Sequence, residues 1–422
     1  MAHGSRVMIP LDIPDVRVLR TEQTKTGEYI LTVESTLTTT LCRRCGRILT
    51  DLHGLDDPRQ LRHLAIFGCP VYIQIRPKRF RCWHCDGHPT TTQQLDWYNP
   101  HALHTKAYER HLIVQLINST FCDVEAKEDV TADTLIGILD RWIATTVAWE
   151  RLDPFSVLGI DEIALTKGHR NFVAVITART DAGVVYVLAV LPDRLQATVA
   201  AWLRKMPTAR RNQITTVCTD MWAGYVTAVQ EELPHSMLVI DRFHVARHYR
   251  DAVDDLRKQE VRRLQQELPD DQRADLQRTM WLVRKELTDL TDDERTRLAT
   301  LFTYSPALQQ AHTLREELTA IFDTARSKAD GLRRMRYWCQ RVERSGLTCF
   351  DRFRKLLDTW GDGIANYFID HQTSSFVEGL NNKLKVLKRR CYGLRNIGRL
   401  FQRLTLDVSG YRWFSPWQTA DY

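Results

Sequence analysis

Between Phe155 and Ile240 five short apolar runs, rich in β-branched residues, are separated first by turns and then by helical stretches. No other feature limits the possible fold as much. Phe155 to Ile163, Phe172 to Arg179 and Val184 to Leu191 read as three successive strands. Asp181-Ala182-Gly183 supplies a tight turn between the second and third. Leu195 to Met206 has helical periodicity, Ile214 to Thr219 reads as a strand, Ala223 to Leu233 as a helix, and Met237 to Ile240 as a strand. Three strands joined by short links, followed by strands joined through helices, predict a mixed sheet covered by helices.

The ribonuclease-H-like fold has this strand order, although other α/β folds share parts of it. The rest of the 422 residues divides by composition. Residues 1–100 hold short β-type runs and two cysteine pairs, and 101–150 read as helices. Residues 151–245 form the first part of the α/β core, and 246–372 are highly charged and helical. Residues 373–422 form a basic second part. No run approaches the ~20 apolar residues that cross a bilayer. The N-terminus lacks a charged-then-apolar signal pattern. The expectation is a cytosolic protein with no membrane partner. A net charge of +7 permits nucleic-acid binding without requiring it.

Cys42-Arg43-Arg44-Cys45 and Cys82-Trp83-His84-Cys85 are two Cys-x2-Cys knuckles. Two such knuckles offer four thiolates in tetrahedral geometry, which suits a structural Zn²⁺. Coincidental pairs or a redox dithiol would be the plainer reading. The basic neighbours favour zinc, with His84 and His88 as reserve ligands. Val71 to Ile75 reads as a strand leading to Arg79-Phe80-Arg81, so a zinc ribbon with an inserted hairpin fits. The six scattered cysteines read as small buried hydrophobes.

Thr105 to Ser119, Asp123 to Glu128 and Ala132 to Ala144, the last capped by Thr131, have the order of a helix-turn-helix. An ordinary helical bundle fits equally, because the third helix carries Asp133 and Asp140 and few basic residues.

Asp161 ends the first predicted strand and Asp220 the fourth. Those strands are expected side by side, so the two carboxylates could share metal ions. Glu378, on a later helix, is the best third carboxylate. Displacement at phosphorus needs an activated oxygen and a neutralised leaving oxygen, which two Mg²⁺ ions ~3.5–4 Å apart provide. A set of carboxylates without cysteine suits this hard cation. Against this, an Asp at a strand end is often a turn former or helix cap. Glu162 also competes with Asp161 for the role.

These segments together resemble the ISL3 family of bacterial insertion-sequence transposases. The resemblance rests on Leu61-Arg62-His63-Leu64 leading to Arg79-Phe80-Arg81-Cys82, on Gly159-Ile160-Asp161-Glu162, and on Thr219-Asp220-Met221-Trp222 followed by Tyr225. It also rests on Asp241-Arg242-Phe243-His244-Val245 and on Thr373-Ser374-Ser375 through Glu378-Gly379 to Asn381, with Lys383 and Lys385 after it. It implies a zinc-binding N-terminus, a helix-turn-helix, and a ribonuclease-H-like catalytic core split by a helical insertion at 246–372. It implies Asp161, Asp220 and Glu378 as ligands of two Mg²⁺ ions, with Mn²⁺ as a substitute. It implies Asp241 and His244 as a supporting pair, though a core histidine bonded to Asp241 would read the same way. Trp222 would stack on an unpaired base or pack in the core.

From Gly379 to Arg403 there are eight basic residues and no acids, which sets this run apart from an ordinary mixed-sign solvated face. Lys383, Lys385, Lys388, Arg389 and Arg390 are therefore expected to meet phosphates, as are Arg79 and Arg81 beside the second knuckle. The expected activity is metal-dependent DNA strand cleavage and strand transfer at the terminal inverted repeats of an insertion sequence. Double-stranded DNA, both element ends and target, would be the partner. A homodimer or larger synaptic assembly would act near the nucleoid. A catalytically silent DNA-binding regulator, or a nuclease that cuts without joining, are the rival readings.

Overall fold

The computed structural model describes residues 11–165, 172–269, 272–273, 279–370, 375–391 and 394–415. The chain divides into two compact units, Met1–Ile143 with Gly410–Tyr422, and Ala144–Ser409. Among the described residues no helix is long and apolar enough to cross a membrane.

The first unit opens with a four-stranded sheet. Strands β1 (Val16–Gln23), β2 (Tyr29–Ser35), β6 (Arg59–Ile66) and β7 (Cys69–Ile75) lie in the order β1-β2-β7-β6. Only the β2–β7 pairing is parallel. In β7 Val71, Ile73 and Ile75 are buried while Tyr72 and Gln74 are half-buried, the period-two pattern of a strand with one covered face. Those three pack with Leu31, Val33, Leu61 and Trp97. The unit holds two further small sheets: β3 (Thr40–Leu41) with β4 (Ile48–Leu49), and β5 (Leu52–Leu55), β8 (Lys78–Arg81) and β9 (Thr90–Thr92) in the order β5-β8-β9.

Three helices follow: α1 (Lys106–Leu116), α2 (Phe121–Glu128) and α3 (Ala132–Trp142). Each starts at a threonine whose hydroxyl accepts a backbone N–H of the first turn: Thr105, Thr120 and Thr131. The fully buried Glu109 ties α1 to the end of α3. It accepts from Arg141 Nη2 at 2.5 Å and from Trp142 Nε1 at 2.9 Å.

The second unit is built on a five-stranded sheet of β10 (Val157–Ala164), β11 (Phe172–Arg179), β12 (Val185–Leu191), β13 (Thr216–Thr219) and β14 (Met237–Ile240). Their order is β12-β11-β10-β13-β14. The first three run antiparallel; β10, β13 and β14 run parallel. β10 to β13 are buried almost throughout, as expected for strands covered on both faces. Helix α4 (Gln196–Lys205) and the short α5 (Thr208–Arg211) lead into β13, and α6 (Ala223–Glu232) joins β13 to β14. On one face Leu380, Leu384 and Leu387 of α13 (Ser375–Arg390), with Leu400, Phe401 and Leu404 of α14 (Ile397–Phe414), meet Val173, Val175, Val187 and Val190.

The charged helical stretch begins directly at β14. Helix α7 (Arg242–Glu267) is followed by α8 (Asp292–Tyr304), α9 (Pro306–Thr324), α10 (Lys328–Ser345), α11 (Asp351–Ala365) and α12 (Tyr367–Asp370). These share a core with the end of the sheet, including Val239, Ile240, Val245, Leu318, Trp338 and Phe353. The approach of α11 to β14 is close: a Cβ on Gly363 would lie 3.0 Å from the Ile240 side chain, and Asn366 Nδ2 donates to Leu238 O at 2.7 Å.

Candidate active site

Strand register aligns three carboxylates. The parallel ladder pairs Ile160 with Thr219 and Thr219 with Ile240, so the next step along each strand carries Asp161, Asp220 and Asp241. The ladder continues to that step, since Asp241 N donates to Thr219 O at 2.9 Å. Neighbouring strands lie ~4.8 Å apart, so the three acids form a row across the carboxyl ends of β13 and β14. Asp161 does not end its own strand as expected, because β10 stays paired with β11 as far as Ala164.

Each acid has a different local anchor. Asp161 is buried and its Oδ1 accepts from Glu162 N at 2.6 Å. Asp241 is buried and caps α7, accepting from Phe243 N at 2.9 Å. Asp220 has a buried Oδ1 with no hydrogen-bond partner among the described residues. Burial first, and then the charge of Asp161, push its carboxyl up to about 7. A buried oxygen without a donor, beside a second carboxylate, is the environment that a cation relieves. The oxygen donors therefore fit a hard divalent metal.

His244 lies one turn into α7, with Nε2 3.7 Å from Asp161 Oδ2 and 3.8 Å from Asp241 Oδ2. Burial alone would pull its imidazole down. The proximity and charge of Asp161, followed by Asp241 and Asp220, outweigh it and raise the pKa to about 9. His244 is thus a cation at neutral pH, bridging Asp161 and Asp241 rather than sitting in an apolar core.

Glu162 is engaged elsewhere: Arg194 Nη1 donates to both of its carboxylate oxygens, at 2.8 and 3.0 Å. The same guanidinium lies 4.3 Å from the Trp222 ring centre and 4.5 Å from that of Phe172. Trp222 is 38% exposed, so it is not a core residue; its ring stands beside the row against a cation. Tyr225 is fully buried, and its hydroxyl has no hydrogen-bond partner among the described residues. Burial, then the charges of Glu162, Asp220 and Asp161, raise its pKa. The arrangements of Arg194 and Tyr225 are not legible in the sequence. The only available signal for Tyr225 was its place in the motif after Asp220; Arg194 gave none.

Glu378 falls on α13, and its side chain lies outside the described residues. The basic residues that follow it divide. Lys383 Nζ donates to Asp407 O at 2.8 Å, Arg390 pairs with Asp407 at 2.6 Å, and Lys388 Nζ donates to Ala164 O. Lys385 and Arg389 are exposed.

In the first unit the four knuckle cysteines converge, with their sulfur atoms all within 4.8 Å of one another. Cys42 Sγ lies 4.0 Å from Cys85 Sγ, and Cys45 Sγ 3.7 Å from Cys82 Sγ. A tetrahedron with ~2.3 Å Zn–S bonds has edges of ~3.8 Å, so the donor set fits a metal. Backbone N–H groups of Cys45 and Arg44 lower the Cys42 thiol to about 6, while burial and the neighbouring sulfurs raise Cys85 to about 12. The histidines stand aside: His84 Nδ1 meets Arg47 at 2.9 Å and His88 packs on Trp83. On β8 Phe80 is buried while Arg79 and Arg81 share the other face. Arg79 donates to Thr90 at 2.7 Å, and Arg81 lies over Trp83.

The fold and this constellation accord with the DDE class of transposases. A model of the ISL3 transposase family, described as "Transposase", matches residues 158–404, and the chain belongs to that family of insertion-sequence transposases. It is similar to the transposase for insertion sequence element IS1001 of Bordetella parapertussis, 27% identical over 88% of this chain and 89% of that one. It is also similar to the transposase for insertion sequence element IS1557 of Mycobacterium tuberculosis, 23% identical over 88% of this chain and 86% of that one. A solved structure, the Drosophila P element transposase strand transfer complex, aligns at a TM-score of 0.38 and 12% identity. That alignment covers 71% of this chain and 91% of the other, a likeness too slight to bear on the fold.

Proposed function

We propose that this chain binds the terminal inverted repeats of its element and performs metal-dependent DNA strand cleavage and strand transfer. The carrying observation is the in-register row of Asp161, Asp220 and Asp241, with a buried, unpartnered oxygen on Asp220. The sheet order, three antiparallel strands continued by two parallel ones, supports a ribonuclease-H-like core spanning 151–245 and 373–422, with 246–372 as a helical insertion. Residues 101–150 are the helix-turn-helix, and 1–100 the zinc-binding domain.

Asp161, Asp220 and Glu378 would hold two Mg²⁺ ions, for which Mn²⁺ would substitute. Once bound, the cations supply Lewis-acid polarisation of the scissile phosphate and of an attacking oxygen. Water first cuts a strand at the element end, and the freed 3′-hydroxyl then attacks target DNA. Glu162 is withheld from metal binding by Arg194. His244, between Asp161 and Asp241, ties the start of α7 to the row and faces the strand being cut. Trp222 offers its exposed ring to an unpaired base. Lys385 and Arg389 meet phosphates, with Lys383, Lys388 and Arg390 behind them, and Arg79 and Arg81 help read the element end. Zn²⁺ on Cys42, Cys45, Cys82 and Cys85 holds the N-terminal domain together. Two ends act together, so a dimer or larger synaptic assembly is the working form.

The test is cutting of a labelled element-end duplex with Mg²⁺ by the wild type and by Asp220→Asn. Loss of cutting with retained DNA binding is the expected result. Equal cutting by both proteins would sink the assignment. No cutting by either would favour a binding-only regulator.

A further inference from the structure

Helix α7 carries a second feature beyond the acid row. His244, Arg247, His248 and Asp251 recur at the spacing of one helical face. They line a cavity of about 450 Å³, closed on the other side by Arg352 and Phe353 of α11. That volume falls in the lower part of the ~300–1,000 Å³ range of small-molecule sites. His244 belongs both to this cavity and to the acid row, so the two are continuous.

The polar lining is cationic and weakly committed. Arg352 is exposed and has no carboxylate partner among the described residues. Arg247 is 3.7 Å from Asp251, with both side chains about 70% exposed, a pairing that a phosphate readily displaces. His248 is half-buried, its ring has no hydrogen-bond partner among the described residues, and it sits under the charges of Arg352, Arg247 and His244, with Asp251 opposing them. Asp255 is taken by Lys258 at 2.8 Å. Phe353, Ala252 and Cys349 give the cavity an apolar floor. Paired cationic forks above an apolar floor suit a phosphate joined to a planar base, and the volume suits a base that has left its duplex.

We infer that this cavity holds one unpaired nucleotide of a DNA strand running past the acid row. Arg247 and Arg352 grip its phosphate, and its base rests on the floor near Phe353. The inference rests on the DNA-cleaving reading of the row and adds to it a binding site that the acids do not supply.

The test compares binding of a blunt duplex with binding of the same duplex carrying a short single-stranded tail. The probe is fluorescence anisotropy with the full chain over a range of salt. Wild type should prefer the tailed DNA roughly tenfold, a modest value for one stacked base. Arg352→Ala and Arg247→Ala should each lose most of that preference. Each should also lower the salt slope for tailed DNA by about one while leaving blunt binding nearly unchanged. Asp220→Asn should keep the preference. A wild type without preference, or variants that weaken both DNAs equally, overturns the cavity reading even if cutting occurs. Arg-dependent binding of a free nucleoside triphosphate without any tail preference also overturns it, since the occupant would then be a free nucleotide. A tail preference lost in Arg352→Ala, in a protein whose cutting ignores Asp220, would leave the cavity standing and remove the role of the acid row.

Discussion

Asp161, inside β10, and Asp220, just past the end of β13, stand side by side on two parallel strands, one step past the paired Ile160 and Thr219. Two carboxylates so placed repel, and Asp220 answers by holding its proton up to about 7, through burial first and Asp161 second. Its folded pKa is raised above the ordinary value of ~3.9. Its contribution to stability is therefore full below that value and is lost as pH rises through about 7. In metal-free protein Asp220→Asn should match wild type near the lower end of this window. Above the upper end it should be more stable by up to ~4 kcal/mol, at ~1.4 kcal/mol per unit. Urea unfolding across that range, with chelator present, checks this. Added Mg²⁺ should narrow the gap by stabilising only the wild type. A gap independent of pH would mean that the row does not strain the fold.

His312 predicts acid lability in the helical stretch. It is buried on α9 and accepts from Arg315 at 3.1 Å, and burial, then Arg315, hold its pKa down at about 4. The unfolded chain binds its proton near pH ~6.5, so between the two values the unfolded state carries more protons. Stability should fall as pH drops through that window, by up to ~3 kcal/mol. His312→Gln should flatten that part of the profile in chemical denaturation. An unchanged slope in the variant would assign the lability to other groups.

The four knuckle sulfurs predict about one zinc per chain, measured by elemental analysis. Cys82→Ser should abolish it and lower the melting temperature of the N-terminal unit, because metal binding and folding are coupled at such sites. Chelation of wild type should reproduce the variant. Full zinc content in Cys82→Ser would remove the tetrahedral assignment.

The strands of the second unit were legible because β-branched runs ended at turn residues: Met237 to Ile240 was predicted and found, and Phe172 to Arg179 likewise. The first strand starts at Val157 rather than Phe155, since Phe155 packs as a buried residue just before the ladder begins. Register was not legible. The alignment of Asp161, Asp220 and Asp241 depends on which strands pair, a non-local choice that spacing along the chain does not encode. Arg194 was hidden for the same reason: its partners Glu162, Phe172 and Trp222 come from three different elements. The basic run after Glu378 read as one cationic face, yet Asp407 and the carbonyl of Ala164 draw Lys383, Lys388 and Arg390 into internal bonds. On α7 the spacing of His244, Arg247, His248 and Asp251 was present in the sequence but submerged in a helix dense with charge.

Gly331 tests the packing of that helical stretch. It is buried near the start of α10, and a Cβ there would overlap the ring of Phe368. Phe368 is itself stacked on Phe322, 5.5 Å between ring centres, and is 1% exposed, so it has little room to yield. In an exposed helix Gly→Ala stabilises by ~0.5–1 kcal/mol. Here overpacking costs ~1–3 kcal/mol, and the steric term should win. Gly331→Ala is therefore expected to lower stability by about 1–2 kcal/mol. The double variant Gly331→Ala with Phe368→Leu should recover part of the loss relative to the sum of the single changes, because the two side chains compete for one volume. Strict additivity in that cycle, or a Gly331→Ala protein more stable than wild type, would show that α10 shifts freely against α12.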